Sequence, residues 1–229
     1  MRNLRGTYVH RGDLERRRIR IRRALLSGGV CFIAVLAIKS REPAVANAEP
    51  SPFSFGMGDG PRLRDELEAA RGELNLANAQ LERTQKIFAY SSQYRIGADL
   101  AGSILDASMA EGIEPDLAFR VVKIESEFND RATSPVGAVG LTQLMLPTAR
   151  YFEKGITRAG LYDRETNLRV GFRYLRTLIK QYKGDVNLAL LVYNRGPVAV
   201  DAARGRGDDP SNGYEHAVLK GYRGKGTVE

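Results

Sequence analysis

The chain has 229 residues, enough for one full domain with appended segments. Its net charge of +8 would suit a nucleic-acid-binding protein, but the charge is unevenly distributed. Residues 1–41 contain eleven Lys and Arg against Asp13 and Glu15, a balance of +9, so the remaining 188 residues sum to about −1. The basic charge therefore belongs to a terminal tail and not to a folded binding face, which argues against a nucleic-acid partner.

The amino-terminal region has the pattern of an export signal. Residues 1–23 are basic and end in RRRIRIRR, and residues 24–38 form an apolar run, ALLSGGVCFIAVLAI. Two Ala-x-Ala patterns between Ala44 and Ala48 suit cleavage by a signal peptidase, whereas the long basic segment suits a retained single-span anchor in the inner membrane. Both alternatives stay open, and both place the rest of the chain in the periplasm or cell envelope. Cys31 is the only cysteine and lies in the apolar run, so no disulfide is expected in the exported part.

Residues 39–62 are rich in Pro, Gly and Ser and are predicted to be a flexible linker. Residues 63–90 then predict a charged, coiled-coil-like helix. Its apolar stripe consists of two series with a seven-residue period: Leu67, Leu74, Leu81 and Phe88, and Leu63, Ala70, Ala77 and Thr84. Two interpretations remain open. Residues 63–88 form either a coiled coil that pairs two copies or meets an envelope-assembly partner, or a spacer helix that packs on the domain that follows.

Residues 92–225 predict one compact all-α domain, because period-two runs of β-branched residues are absent. Its first helix passes through Ile96 and Leu105 and stops near Gly112, and the second opens at Pro115. Further helices are expected over 147–152, 167–182, 186–194 and 197–204.

Within the second of these helices, the stretch VVKIESEFND at residues 121–130 places Glu125 and Glu127 two positions apart. With about 100° per residue and Leu117 as zero, Glu125 falls near 80° and Glu127 near 280°. The expected buried stripe consists of Leu117, Val121, Ile124 and Phe128. Glu127 is therefore predicted to be solvated, whereas Glu125 lies at the flank of the apolar stripe.

A carboxyl group in that position is desolvated, which raises its pKa and suits it to act as a general acid. The alternative is a buried glutamate whose hydrogen bonds are satisfied within the core. Residues after the helix favour a sugar-binding cleft: Gly137 and Gly140 permit a tight loop, Gln143 supplies an amide, and YNRGP at 193–197 ends a helix in polar and aromatic groups.

Three motifs in this order resemble the soluble lytic transglycosylases, the lysozyme-like enzymes that cut the glycan strands of bacterial peptidoglycan. The motifs are Glu125-Ser126, Ser134-Pro135-x-Gly137-Ala138-x-Gly140-Leu141-x-Gln143-Leu144-Met145 and Tyr193-Asn194-x-Gly196-Pro197. The helix with Asn167, Gly171, Tyr174 and Leu175 and the later Tyr214, Val218 and Tyr222 resemble further helices of the family. The resemblance covers about residues 95–222 and implies a goose-type lysozyme-like fold.

By this resemblance, Glu125 is the sole catalytic acid/base. The side chains expected to support it or to line the cleft are Ser126, Gln143, Met145, Tyr193, Asn194 and Tyr214. The sequence departs from the family pattern at Thr142, where methionine is usual, at Leu146-Pro147, which displaces a proline, and at Arg195, where a small residue is common.

The implied reaction cleaves the β-1,4 bond between N-acetylmuramic acid and N-acetylglucosamine and closes a 1,6-anhydro ring, without metal or cofactor. His10 and His216 stand alone and support neither a zinc site nor a His-based triad. The sequence indicates no second catalytic acid, since Asp130 is predicted to be a helix-end carboxylate. Two alternatives remain: a non-catalytic scaffold that binds glycan in an envelope-spanning assembly, and a hydrolytic muramidase on the same fold.

Overall fold

The computed structural model describes residues 60–228. The basic segment, the apolar run and nearly all of the expected linker lie outside these residues, and so does the choice between signal and anchor. Within the described part of the chain, no helix combines the length and apolar character needed to cross a bilayer.

The first described element, α1, is a helix of 35 residues from Gly60 to Tyr94. Every residue from 60 to 86 is exposed, including the whole leucine stripe up to Leu81. The end of the helix packs on the domain, where the ring of Tyr90 stacks on Phe119 with centroids 4.0 Å apart. Arg83 also donates to both carboxylate oxygens of Asp106, at 2.8 and 2.5 Å. Only the last third of α1 therefore contacts the domain that follows.

The domain is built from seven α-helices and one short 3-10 helix. These are α2 (Ala98–Glu111), α3 (Pro115–Ser126), α4 (Leu146–Phe152), a 3-10 helix (Gly160–Tyr162), α5 (Arg164–Gln181), α6 (Val186–Arg195), α7 (Pro197–Gly205) and α8 (Tyr214–Leu219). Across residues 60–228 extended pairing is limited to isolated bridges, such as that between Ile113 and Thr227. The expected all-α class is confirmed for these residues.

Local chemistry explains several of the helix ends. Proline occupies the first turn of α3 and of α7, where a missing N–H costs nothing. The carboxylates of Asp163 and Asp185 accept from backbone N–H groups in the first turns of α5 and α6. Gly112 ends α2 in the left-handed conformation, with a φ of 70°.

The hydrophobic core lies where α5 crosses α2 and α6, with α3 enclosed among them. Its largest fully buried side chains include Phe119, Phe172, Leu117, Ile104 and Leu190. A second, smaller cluster lies beneath the loop between α3 and α4 and includes Val139, Leu144, Leu161 and Val170. This second cluster fixes the loop that carries the expected glycine-rich motif.

The segment after α8 closes against the start of α3. The hydroxyl of Tyr222 and the backbone N–H of Lys225 both bond to the carboxylate of Glu114, the latter at 2.9 Å. Val228 donates to the carbonyl of Gly112 at 3.2 Å. The described end of the chain thus holds the turn that precedes the helix of Glu125.

Candidate active site

Glu125 lies in the last turn of α3, and its position on the helix differs from the expected one. The buried residues of this helix are Leu117, Ala118, Phe119, Val121 and Val122. With Leu117 at zero and about 100° per residue, their side chains centre near 95° around the helix axis. Glu125, near 80°, is therefore at the middle of the buried face rather than at its flank. The prediction that Ile124 is buried is wrong, since its side chain is 41% exposed.

α3 also ends earlier than expected, because the predicted helical stripe extended to Phe128. The helix stops at Ser126, and Glu127 and Phe128 adopt left-handed backbone conformations with φ of 51° and 65°. These two left-handed residues turn the chain away directly after the glutamate. Glu127 is exposed, as expected.

The environment of Glu125 favours its protonated form. Burial raises the pKa of Glu125 to about 7, and a hydrogen bond from Tyr214 opposes part of that rise. The Tyr214 hydroxyl donates to Oε1 of Glu125 at 2.6 Å. Burial and the neighbouring Glu125 raise the pKa of both Tyr214 and Tyr193 well above the ordinary tyrosine value, so both rings stay neutral.

The loop between α3 and α4 is held by one buried amide, that of Asn167 on α5. Its Nδ2 donates to the carbonyls of Val139 and Leu161, each at 2.9 Å. Its Oδ1 accepts from the backbone N–H of Thr142 at 2.9 Å and from the Thr142 hydroxyl at 2.8 Å. Asn167 is 1% exposed, and all its polar valences are used within the protein. It is therefore a positioning residue for the loop.

Two glycines allow this close packing. A Cβ on Gly140, which has a φ of 78°, would lie 2.3 Å from Nδ2 of Asn167. A Cβ on Gly171 of α5 would lie 2.3 Å from Oγ1 of Thr142. Thr142, the departure from the family pattern, is fully buried and fills the space that Gly171 leaves. Its hydroxyl donates to Oδ1 of Asn167 at 2.8 Å.

Tyr193 links α6 to the same loop, since its hydroxyl donates to the carbonyl of Thr142 at 2.8 Å. Its ring lies beside that of Tyr174, with centroids 5.2 Å apart. Both rings line a groove of about 230 Å³, together with Gln143, Met145 and Asn194. Four of the predicted site residues thus lie at one groove.

The polar groups of these residues have specific partners. The Gln143 amide donates to the carbonyl of Gly140 at 2.9 Å, and Gln143 itself has a φ of 47°. Met145 is 40% exposed at the groove. Ser126 is not joined to the carboxylate of its neighbour, because its hydroxyl bonds to the Val122 carbonyl of its own helix at 3.1 Å.

The YNRGP motif holds the segment that brings in Tyr214. The Arg195 guanidinium bonds to the carbonyl of Pro210. The Asn212 amide donates to Oδ1 of Asn194 at 2.8 Å, and its own Oδ1 accepts from the backbone N–H of Tyr214 at 3.2 Å. The predicted residue Asn194 therefore also supports α8. Asn212 was not predicted from the sequence. The available signal was its position two residues before a helical tyrosine.

A second carboxylate suited to catalysis is not found beside Glu125 among residues 60–228. Asp130 pairs with Arg164 at 2.7 Å, and Arg164 also pairs with Asp99 at 3.0 Å, so Asp130 has a structural partner. Glu215 is fully buried but bonds to Ser211 and lies 2.6 Å from Nδ1 of His216. Burial tends to raise the pKa of Glu215, and its hydrogen bonds to these two side chains lower it overall.

Comparison with known proteins identifies the domain. Residues 102–212, which contain Glu125, the loop and the YNRGP motif, match the family model of the transglycosylase SLT domain. The chain therefore carries a transglycosylase SLT domain over these residues. The all-α, lysozyme-like class expected from the sequence agrees with this domain assignment.

Several relatives are similar to part of this chain. The chain is similar to the transglycosylase of Enterobacteria phage PRD1, 46% identical over 90 residues that cover 39% of this chain and 32% of the phage protein. The soluble lytic murein transglycosylase of Escherichia coli K12 is 34% identical over 91 residues, 37% of this chain and 14% of that protein. Membrane-bound lytic murein transglycosylase C of Haemophilus ducreyi is 33% identical over 103 residues, covering 39% and 28%. The chain thus spans less than two thirds of each relative.

Solved structures with similar chains are also lytic transglycosylases. An inactive mutant of lytic transglycosylase Slt from Pseudomonas aeruginosa is 27% identical with a TM-score of 0.44, over 51% of this chain and 21% of that chain. The 70 kDa soluble lytic transglycosylase of Escherichia coli is 24% identical with a TM-score of 0.47, over 60% and 29%.

Proposed function

We propose that the SLT domain cleaves the β-1,4 bond between N-acetylmuramic acid and N-acetylglucosamine in peptidoglycan and leaves a 1,6-anhydro-N-acetylmuramic acid end. The observation that carries the proposal is the desolvated carboxyl group of Glu125, with a pKa of about 7, inside a domain of this family. A group with that pKa is present in both protonation states near neutral pH. It can therefore give up a proton and recover one within a single turnover.

In the first step, protonated Glu125 donates its proton to the glycosidic oxygen. The bond from C1 of the muramic acid to that oxygen breaks, and positive charge develops at C1 and the ring oxygen. The Tyr214 hydroxyl, 2.6 Å from Oε1, keeps the carboxyl oriented and stabilises the carboxylate that forms. The buried face of α3 keeps water from that carboxylate.

In the second step, the Glu125 carboxylate removes the proton of the C6 hydroxyl on the same sugar. The C6 oxygen forms a bond to C1, the 1,6-anhydro ring closes, and Glu125 is protonated again. This cycle needs neither an activated water nor a second carboxylate, because the acetamido group of the sugar supports the charge at C1. The engagement of Asp130 with Arg164 is consistent with a single-acid mechanism.

The substrate would lie along the groove that Tyr174 and Tyr193 line. Tyrosine rings offer apolar surface for the faces of sugar rings, and the amides of Gln143 and Asn194 are suited to hydrogen bonds with N-acetyl and hydroxyl groups. Met145 and Ser126 complete the set of proposed substrate-side residues. The setting would be the periplasm or cell envelope, with the amino-terminal apolar run as signal or inner-membrane anchor.

A pair of neighbouring substitutions tests the proposal. Glu125→Gln keeps the size and the hydrogen bond to Tyr214 but removes the transferable proton, so we expect at least about a thousandfold loss of peptidoglycan solubilisation. Glu127→Gln, on the exposed side of the helix, should keep near-normal activity. Dye release from labelled peptidoglycan measures both, and circular dichroism confirms that each variant is folded.

Retention of activity in Glu125→Gln would refute the assignment of the acid. If the folded wild-type chain releases no product from peptidoglycan but sediments with it, the domain is a glycan-binding scaffold and the proposal is wrong. Release of reducing ends in place of anhydro ends would instead identify a hydrolytic muramidase.

A further inference from the structure

The leucine stripe of α1 is an unpartnered helix face next to the catalytic domain. Leu67, Leu74 and Leu81 are 51%, 60% and 56% exposed, and Leu63 is 62% exposed. Residues 60–82 contain no buried or half-buried position, so this part of the helix gains nothing from tertiary packing. Helices in proteins owe most of their stability to the packing of an apolar face. A partner for the stripe is therefore expected.

The domain of the same chain does not supply that partner. Contact between α1 and the domain begins at Arg83 and continues through Ile87, Tyr90 and Tyr94. These four residues follow each other at intervals of three or four, so they lie on one face of the helix. Leu81 and Leu74 point elsewhere and remain exposed. The spacer-helix interpretation thus applies to the end of α1, which packs on the domain. The exposed leucine stripe requires a different interpretation.

The heptad positions of the stripe follow from its spacing. Heptad position a is taken by Leu67, Leu74 and Leu81, and position d is taken by Leu63, Ala70 and Ala77. Gly72, the weakest helix former in the segment, falls at f on the outer side, where a missing side chain removes no contact from the stripe. Small alanines at d allow two helices to approach closely along this stripe.

The charges that flank the stripe select the partner and its direction. The g positions are Glu66, Glu73 and Gln80, and the e positions are Arg64, Arg71, Asn78 and Gln85. In a parallel pair, g of one helix faces the following e of the other, so Glu66 meets the partner's Arg71 and the remaining pairs contain no like charges. In an antiparallel pair, g faces g and e faces e, which would bring glutamates together and repel.

We propose that residues 63–81 form a parallel, in-register coiled coil with a second copy of this chain. The complementary charges make a second copy the fitting occupant, since the same helix supplies both the acidic and the basic edge. Glu66 already carries an ion pair with Arg62 at 3.2 Å, but its side chain is 62% exposed and can bond to the partner as well. The pairing would place two SLT domains side by side at the same end of the stripe.

Disulfide crosslinking of the full chain tests the pairing. In a Cys31→Ser background, kept in mild non-ionic detergent because of the apolar run at 24–38, Cys is introduced separately at Leu67, Leu74 and Leu81. Each a position of a parallel pair faces itself, so all three variants should crosslink to a dimer under mild oxidation. Ala79→Cys, at f on the same helix, is the matched control and should crosslink about tenfold less, because its partner lies across the full width of the pair.

Charge reversal gives an independent measure. Arg71→Glu places glutamates opposite each other and should reduce the crosslink at Leu74→Cys several-fold, whereas adding Glu66→Arg should restore it. Equal crosslinking at 74 and 79, crosslinking at none of the positions, or crosslinking at only one of the three a positions would overturn the parallel pairing. None of these results depends on peptidoglycan cleavage, so the outcome is separate from that of the catalytic proposal.

Discussion

At the scale of single residues, Glu125 and Tyr214 form the contact on which the proposed chemistry depends. The carboxyl lies at the centre of the buried face of α3, and the tyrosine hydroxyl is its hydrogen-bond donor at 2.6 Å. Burial and this hydrogen bond act on the pKa of Glu125 in opposite directions, and burial has the larger effect. Because burial disfavours the charged carboxylate, ionisation of Glu125 at high pH lowers the stability of the folded protein.

That cost predicts a pH-dependent effect of Glu125→Gln on stability. The pKa of Glu125 is about 7 in the folded protein against an ordinary value of 4.5, so the unfolded chain loses this proton first as pH rises. The folded state then loses stability between about pH 4.5 and 7 through this group, by up to roughly 3 kcal/mol. We expect Glu125→Gln to unfold at higher denaturant than wild type at pH 8 and at a similar midpoint near pH 4.5. Urea titrations at both pH values measure the difference. A constant offset across the range would contradict the raised pKa.

A second prediction at this scale concerns Tyr214→Phe. Loss of the hydrogen bond removes an interaction that lowers the pKa of Glu125, so that pKa should rise. The alkaline limb of kcat/KM should then move to higher pH, while activity at the optimum falls about tenfold through loss of orientation. Tyr193→Phe is the control: its hydroxyl bonds to the Thr142 carbonyl, so activity should fall without a comparable shift of the limb. An unshifted limb in Tyr214→Phe would contradict the assigned contact.

At the scale of elements, the loop between α3 and α4 is a rigid wall of the groove because α5 holds it from behind. The Asn167 amide bonds to three segments of the chain, and Gly171 makes room for Thr142. The helices and the glycine-rich loop were predictable, because periodicity, proline and glycine leave local signals. The loop's attachment to α5 was not, since a buried Asn and a helical Gly show their partners only when the fold brings them together.

Other local expectations failed for a similar reason. The helical periodicity of α3 placed Ile124 in the buried stripe, but α3 packs against α2 and α8, and this packing turns the buried face toward Glu125. Ser126 stays a proposed substrate-side residue, although its hydroxyl bonds to a carbonyl of its own helix. Resemblance supplied the set of proposed site residues, whereas their separate hydrogen-bond partners depend on the folded structure.

Substitution of Gly171 tests the rigidity of this loop. A Cβ there would lie 2.3 Å from Oγ1 of Thr142, so Gly171→Ala should displace the loop and destabilise the domain by about 1–3 kcal/mol, despite the better helix propensity of alanine. Gly102→Ala in α2 is the matched control, because its Cβ would come no closer than 3.5 Å to Ile87. Chemical denaturation and peptidoglycan assays of both variants measure the effect. Equal stability of the two variants would show that the contact with Thr142 can relax.

At the scale of the whole molecule, the described chain consists of a domain that encloses its own core and a helix, α1, whose first two thirds contact nothing in it. The end of the described chain fastens the domain, through Tyr222, Lys225 and Val228, to the turn before α3. Stability should accordingly differ between these parts. Residues 60–82 gain protection only from a partner, and the segment after α8 contributes to the stability of the site.

Truncation after Lys220 tests the contribution of that last segment. Removal of residues 221–229 deletes the partners of Glu114 and uncovers Ile113, which is fully buried in the intact chain. We expect the melting temperature to fall by roughly 2–4 °C for each 1 kcal/mol of stability lost, the ratio typical of a folded chain of this size. Calorimetry of the truncated and intact chains measures it, and an unchanged melting temperature would show that the segment does not fasten α3.

The central claim is that one carboxyl group, Glu125, both donates and recovers the proton, so that the substrate's own C6 hydroxyl closes the product. Mass spectrometry of the fragments released from purified peptidoglycan by the full chain tests it most directly. We expect muropeptides that end in 1,6-anhydro-N-acetylmuramic acid, one water lighter than hydrolysis products, from wild type and from Glu127→Gln, and none from Glu125→Gln. Fragments with ordinary reducing ends would contradict it, because they require an activated water that this site has no second carboxylate to supply.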